Sequence, residues 1–291
     1  MFLLDDEGRV LTRLKGLEGT TASSITAVSP DGARVAVIWI GARDWIFTLY
    51  DPNSGKPAAT SAQVIGYTWA LVFSPDGTRI ATGGEDGLTR LWDTSTGALT
   101  AQCRGHIRKV LSVAFRPDGR RLVTASADGT VRQWDPATGR EIEAPYEGHT
   151  GEVVTAAYSP DGLWVASGGT DRTVRVWGAA NRHDVAVLHG HTGVVGELAF
   201  TADGARLASA SQLVTLDYTE DGTVRIWELG RQAGTSVLRG HTNYVYPVAY
   251  SPDGQWIASG GLGQHRARVG RSDWGELRGP APSGVCARAG L

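Results

Sequence analysis

A four-residue turn recurs along this chain. Ser-Pro-Asp-Gly or a near copy begins at Ser29, Ser74, Arg116, Ser159, Thr201 and Ser251, at spacings of 45, 42, 43, 42 and 50 residues. A period of that length marks one supersecondary unit repeated, each unit too small to bury its apolar face alone and therefore stacked on its neighbours. Proline at the second turn position presets its backbone angle, and glycine at the fourth accepts the left-handed conformation that sends the chain back. Between the turns run short alternating apolar segments, punctuated by Gly-His, Asp-Gly and Trp-Asp. The 39 glycines and 12 prolines among 291 residues therefore belong largely to the turns of a many-stranded antiparallel, all-β fold.

The unit Gly105 to Gly139 shows the pattern most clearly. Val110 to Phe115 alternates small and large residues and predicts a first strand buried on both faces. Arg116-Pro117-Asp118-Gly119 turns the chain into a second strand, Leu122 to Ser126. Asp128-Gly129 is the next tight turn, Val131 to Trp134 the third strand, and Glu141 to Tyr146 a polar outermost strand. Trp92-Asp93 and Trp134-Asp135 end third strands, with Trp177-Gly178 and Trp227-Glu228 as variants. On these motifs, over roughly residues 2 to 261, the chain resembles the WD40 repeat family.

The resemblance implies a β-propeller of about six four-stranded blades, counted as one domain over residues 1–265. Phe2 to Asp5 and Gly8 to Leu11 look like the third and fourth strands of a blade, so the N-terminal segment is expected to complete the imperfect last blade and remove its free edge. That last blade supplies Tyr244 to Ser251 and Gln255 to Gly261, after which the pattern stops. Gly263 stands where Asp is expected, Arg266 and Arg268 replace apolar residues, and Val269 replaces the Trp. Residues 266–291 form a tail rich in Arg, Gly, Ala and Pro, expected to be disordered. The break points to a reading frame lost near Gly261, which sequencing of that end of the gene would test.

In the family, a His, a Ser or Thr, an Asp and a Trp form a buried hydrogen-bonded chain within each blade. His106, Thr124, Asp128 and Trp134 match one such set, His149, Ser167, Asp171 and Trp177 a second, and His191, Ser209, Asp221 and Trp227 a third. The interval from His to hydroxyl is 18 residues in all three. Thr82, Asp86 and Trp92 form a partial set in which Tyr67 follows the glycine in place of His, and His241 with Ser259 forms another. In the first blade Val37 takes the hydroxyl position and Tyr50 the Trp position. An indole N–H, an imidazole and a hydroxyl between two sheets each cost several kcal/mol if unpaired, about 2–7 for a neutral group, and satisfy one another when linked to a carboxylate. A Ser-His-Asp triad is the enzymatic reading of His149, Ser167 and Asp171. A triad occurs once, beside an oxyanion hole and a pocket, whereas this constellation recurs with a Trp over it.

Hydrophobic residues at 41%, charged residues at 20% and a formal net charge of -2 exclude a global basic field for nucleic acid or acidic lipid. Cys103 and Cys286 are the only cysteines, too few for a disulfide framework or a cysteine metal site, which fits a reducing, cytoplasmic compartment. No run of about 18 apolar residues crosses a membrane. Neither a phosphate-binding glycine loop nor a kinase catalytic loop is present. No metal and no cofactor are expected.

The family docks partners on the face that carries the loops before first strands and between second and third strands. Carried over by residue, this face holds Arg108, Lys109, Glu152, Thr170, Glu220, Tyr244 and Tyr246, with the aromatic residues concentrated in the sixth blade. Gln212 to Thr219 is an insertion in one of these loops, and Leu213, Leu216 and Tyr218 within it are costly to expose without a use. Arg90, Arg132, Arg175 and Arg225, each two residues before a Trp, are expected to be solvated or paired with carboxylates. Trp164 and Trp256 are expected to pack between blades or at their rims. The function expected is a noncatalytic, monomeric scaffold that binds other proteins. The alternative is a regulatory or sensory propeller cut from a larger protein such as a kinase or NTPase.

Overall fold

The computed structural model describes residues 2–4, 10–14, 20–41, 44–60, 64–65, 67–181, 184–212, 222–229, 235–238, 245–261 and 268–271. Among the described residues all regular structure is β-strand, paired antiparallel throughout. They group into two compact units, divided in sequence between Pro145 and Tyr146.

The first unit opens with the hairpin Phe2–Leu4 and Val10–Arg13. Its first large sheet orders Thr21–Val28, Val35–Ile40, Asp44–Tyr50 and Pro57–Thr60 side by side, and Val64–Ile65 continues the outer edge along Asp44 and Trp45. The second sheet is Thr68–Phe73, Arg79–Gly84, Thr89–Asp93 and Leu99–Cys103, and the third is Val110–Phe115, Leu122–Ser126 and Val131–Trp134. In the second unit a fourth sheet holds Val153–Tyr158, Trp164–Gly169, Val174–Gly178 and Asp184–Leu188. The fifth holds Val194–Phe200, Arg206–Gln212, Val224–Glu228 and Thr235–Leu238, and the sixth Val245–Tyr250, Trp256–Gly261 and Arg268–Arg271.

The recurring turn is built by its hydroxyl. Ser29 Oγ donates to Asp31 at 2.6 Å and accepts Arg34 N at 2.9 Å, and Ser74, Ser159, Thr201 and Ser251 repeat the arrangement. Arg116 has no hydroxyl, yet its turn keeps both backbone bonds, Gly119 N to Arg116 O and Arg116 N to Arg121 O, with Gly119 at φ 70°. Pro-Asp-Gly is therefore sufficient for the turn, with the left-handed glycine as its hinge. A Cβ on Gly77 would lie 3.8 Å from Pro30, and one on Gly119 3.8 Å from Pro75, so consecutive turns of this unit sit side by side.

Cores form between consecutive sheets. Ala36, Ile38, Phe47 and Leu49 pack on Leu71, Phe73, Ile80 and Trp92, with Phe47 edge-on to Trp92 at 5.4 Å. Ala81, Leu91 and Cys103 meet Val110, Val113, Phe115, Leu122 and Trp134. In the second unit Ala166, Val174 and Val176 meet Val195, Leu198, Leu207 and Trp227, and Ala208, Val224 and Ile226 meet Val245, Val248 and Ile257. Trp164 packs at the edge of the first of these clusters, while Trp256 is exposed.

The structure corrects several expectations. Val110–Phe115 is buried only at Val110, Val113 and Phe115; the strand buried at every position is Leu122–Ser126, which has a neighbour on each side within its sheet. The outer strand Glu141 to Tyr146 is reduced to isolated bridges at Glu141, which pairs with Trp134, and at Tyr146, with a left-handed φ of 68° at Glu143 between them. Phe2–Leu4 and Val10–Arg13 do pair as neighbours, and among the described residues they form a two-stranded sheet of their own. The sixth sheet does have a third strand, Arg268–Arg271, which reaches past the boundary placed at 265 and into the segment expected to be disordered. Ile257 faces Gly270 as Val165 faces Trp177, so Gly270 rather than Val269 holds the Trp position. Arg268 then falls opposite Ser259, where Arg175 falls opposite Ser167.

Candidate functional site

Two arrangements concentrate chemically capable side chains. The first lies inside the sheets. His106 Nδ1 bonds Asp128 Oδ2 at 2.8 Å, His106 Nε2 bonds Thr124 Oγ1 at 2.7 Å, and Trp134 Nε1 donates to the same Thr124 Oγ1 at 2.8 Å. His149, Asp171, Ser167 and Trp177 repeat this at 2.8, 2.8 and 2.7 Å. The groups that have no choice of role fix the rest: the indole donates to the hydroxyl, the hydroxyl to Nε2, and Nδ1–H to the carboxylate. Burial raises the affinity of Asp128 and of Asp171 for a proton, but hydrogen bonds from the His and from Thr130 or Thr173 outweigh it. Both carboxyls are held far below the ordinary carboxylate range.

The third set brings together His191, Ser209 and Trp227, with Nε2 to Oγ at 2.6 Å and the indole to Oγ at 2.8 Å. Asp221 lies outside the described residues. In the second sheet Trp92 Nε1 donates to Thr82 at 3.0 Å, and Asp86 turns to Arg90 in a two-pronged pair at 2.6 and 3.2 Å.

Nucleophilic chemistry has no opening here. Ser167 and Thr124 are 0% exposed, and each hydroxyl oxygen already accepts an indole N–H. Cys103 is also buried, and burial, followed by the charge of Asp135, pushes its thiol up to about 12.

The arginines lie directly opposite the network hydroxyls: Arg90 faces Thr82, Arg132 Thr124, Arg175 Ser167 and Arg225 Ser209. Arg90 is buried on Asp86 rather than solvated, and Arg132 pairs with Glu141 at 2.8 Å. Arg175 stacks its guanidinium over Trp177 at 5.5 Å. A Cβ on Gly148 would come within 2.6 Å of Arg175 Nη1 and 3.0 Å of the Trp177 ring, and one on Gly190 within 2.6 Å of Arg225 Nη1. This close approach, together with φ values of 153° and 141°, explains why glycine precedes the His.

The second arrangement lies at the loop ends. Ala127 N bonds Lys109 O at 3.0 Å and Thr170 N bonds Glu152 O at 2.9 Å, and the same backbone bond in the second sheet runs from Glu85 N to Tyr67 O at 2.7 Å. Tyr67 is therefore the counterpart of Lys109 and Glu152, not of a histidine. Strand register agrees, since Leu71 faces Thr82 as Val113 faces Thr124. The 18-residue interval, counted back from Thr82, would have put the His position at Val64 and placed Tyr67 on the rim.

Trp69 follows two residues later, at the place of Leu111 and Val154. Tyr67 is 59% exposed and Trp69 45%. With Trp45, Ile25, Ile40, Ala22, Ser23 and Thr68 they line a cavity of about 450 Å³. Trp45 meets Tyr67 edge-on at 5.0 Å, Trp69 Nε1 donates to Glu85 at 2.6 Å, and Lys109 Nζ lies 5.1 Å over the Trp69 ring. Arg108, exposed, donates to Ala127 O at 2.7 Å.

Of the rim residues expected from sequence, Lys109 adjoins this aromatic group, Arg108 bonds Ala127 O, and Glu152 and Thr170 meet through their backbones in the fourth sheet. Leu213, Leu216, Tyr218, Glu220 and Tyr244 lie outside the described residues, and Tyr246 occupies a register position opposite Gly260. The aromatic concentration that the structure does describe is in the first and second sheets, at Trp45, Tyr67 and Trp69.

The WD40 family model (WD domain, G-beta repeat) matches residues 60–93, 97–135, 140–178, 182–228 and 233–265. Each match begins on the outer edge of one sheet and ends on the third strand of the next, except the last, which stops short of Arg268–Arg271. The sheet Thr21–Thr60 lies before the first match, as its Val37 and Tyr50 in place of hydroxyl and Trp would lead one to expect. A search of curated proteins gives no match. Five consecutive repeats covering more than half of the sequence, on sheets of the matching strand order, establish that the chain belongs to the WD40 repeat family.

Proposed function

We propose that the protein is a noncatalytic scaffold that docks other proteins on the loop ends of its sheets. WD40 repeats generally mediate protein–protein interaction and are typically noncatalytic. The observation that carries the reading for this chain is the exposed cluster of Trp45, Tyr67 and Trp69 with Lys109 and Glu85 around it. Large aromatic side chains with a cation beside them are the residue types that anchor interfaces, and exposing them to water is unfavourable unless something covers them. The two fully described buried sets, His106-Thr124-Asp128-Trp134 and His149-Ser167-Asp171-Trp177, support the noncatalytic half of the reading, since their side chains already bond one another within their own sheets. With two cysteines and an ordinary charge balance, we place the protein in the cytoplasm as a monomer.

The test is capture of partners from the source cell's lysate by the parent protein and by a Tyr67→Ala/Trp69→Ala variant of unchanged circular dichroism. Loss of about tenfold or more of at least one specific partner is expected, since truncating an anchor costs on the order of 2 kcal/mol. Equal recovery of every partner by both proteins would refute this docking site.

A further inference from the structure

Resting on that docking reading, we propose that the cavity beside Thr68 receives a tyrosine side chain from a partner segment rich in acidic residues. The reason begins at one register position. Thr68 faces Gly84 where Val110 faces Ser126, Val153 faces Gly169, Val195 faces Ser211 and Val245 faces Gly261. All four of those valines are fully buried. In the second sheet alone the position carries threonine, 1% exposed, and its hydroxyl has no hydrogen-bond partner among the described residues. Threonine in place of valine keeps the shape and adds a polar atom, which is unfavourable in an apolar site unless a partner reaches it. The residues on either side are aromatic: Tyr67 stands where the third, fourth and fifth sheets have Lys109, Glu152 and Val194, and Trp69 where they have Leu111, Val154 and Gly196. Tyr67, Thr68 and Trp69 line one cavity.

The walls decide what fits. Trp45, Tyr67 and Trp69 offer ring faces and edges, and Ile25 and Ile40 offer an apolar floor. An aromatic ring gains from such neighbours beyond its burial, and a phenol carries the hydroxyl that Thr68 lacks as a partner. A cationic side chain, the other guest that three rings suggest, would meet Lys109, whose ammonium already lies over Trp69. With Lys109 over Trp69 and Arg108 next to it in sequence, against Glu85 on the Trp69 indole, the described rim favours carboxylates beside the inserted tyrosine.

The experiment titrates the full chain with the capped peptide Glu-Glu-Tyr-Glu-Glu and with its Phe counterpart, following tryptophan fluorescence, for the parent protein and for Thr68→Val. The parent is expected to bind the Tyr peptide about fivefold more tightly than the Phe peptide, the worth of one hydrogen bond. In Thr68→Val, which supplies the residue of the third to sixth sheets and should fold at least as well, that preference should fall below about twofold. A parent that does not distinguish Tyr from Phe, or that binds neither, overturns the proposal, as does tighter binding of tetramethylammonium. The preference persisting unchanged in Thr68→Val would also overturn it. These outcomes are separable from failure of the docking reading, which depends on whether lysate partners are lost from Tyr67→Ala/Trp69→Ala.

Discussion

Ser167 holds two neighbours at once, His149 at 2.8 Å and Trp177 at 2.7 Å, and is reached by no water. Replacing it with alanine leaves a buried imidazole nitrogen and a buried indole N–H without a partner. Each such group costs about 1–3 kcal/mol, so Ser167→Ala should lower stability by about 2–5 kcal/mol in denaturant unfolding. Gly148→Ala should destabilise by a similar route of crowding, about 1–3 kcal/mol, because its Cβ meets Arg175 and Trp177. A loss below about 0.5 kcal/mol in both variants would show that neither contact matters to the fold. The members of these networks were legible from sequence because a fixed interval repeats. The contact of the guanidinium with the glycine was not, since it joins the end of one motif to the start of another across a strand pair.

Elements were legible where the turn chemistry was explicit. Leu122–Ser126 and Val131–Trp134 lie where the Pro-Asp-Gly and Asp-Gly turns put them. Glu141 to Tyr146 was misread because a polar outer strand has no burial pattern to define it, and the left-handed φ at Glu143 interrupts the pairing between bridges at Glu141 and Tyr146. Tyr67 was misplaced because Gly66 imitates the glycine of a Gly-His pair, while the backbone bond from Glu85 that fixes its register leaves no trace in sequence. Pairing strength should show directly in hydrogen exchange. Amides of Leu122–Ser126 should be among the slowest in the chain, and Ile142, bonded to Gln133 O at 2.8 Å beside the left-handed Glu143, should exchange faster than they do. Equal protection of Ile142 and Leu122–Ser126 would mean that the outer strand pairs as firmly in solution as the inner one.

Across the whole molecule, carboxyls held below their ordinary range recur: Asp31, Asp76, Asp203 and Asp253 in the recurring turns, Asp93 at about 2 after its Trp, and Asp128 and Asp171 in the networks. A group whose pKa is depressed on folding binds fewer protons folded than unfolded, so its contribution is present above the unfolded value and fades as pH falls through the folded one. The thermal unfolding midpoint should therefore be steady near neutrality and drop between about pH 5 and pH 2. An Asp128→Asn/Asp171→Asn variant should be less stable at pH 7 and show a shallower acid slope. An acid slope unchanged in that variant would remove the networks as its cause.

One consequence reaches beyond stability. The matched segments 97–135, 182–228 and 233–265 each open on the closing strand of one sheet, Leu99–Cys103, Asp184–Leu188 and Thr235–Leu238, and carry most of the next. The stretch that evolution copies and the sheet that folds are thus out of phase by one strand, like overlapping roof tiles. Excising a single copy, for example residues 182–228, would rejoin its neighbours in matching phase, with Thr235–Leu238 in the sequence place of Asp184–Leu188, whereas ending the chain at the close of a copy, at residue 178, would leave a three-stranded stump. Removing or adding whole copies inside such an array should therefore be tolerated where ending it at a copy boundary is not.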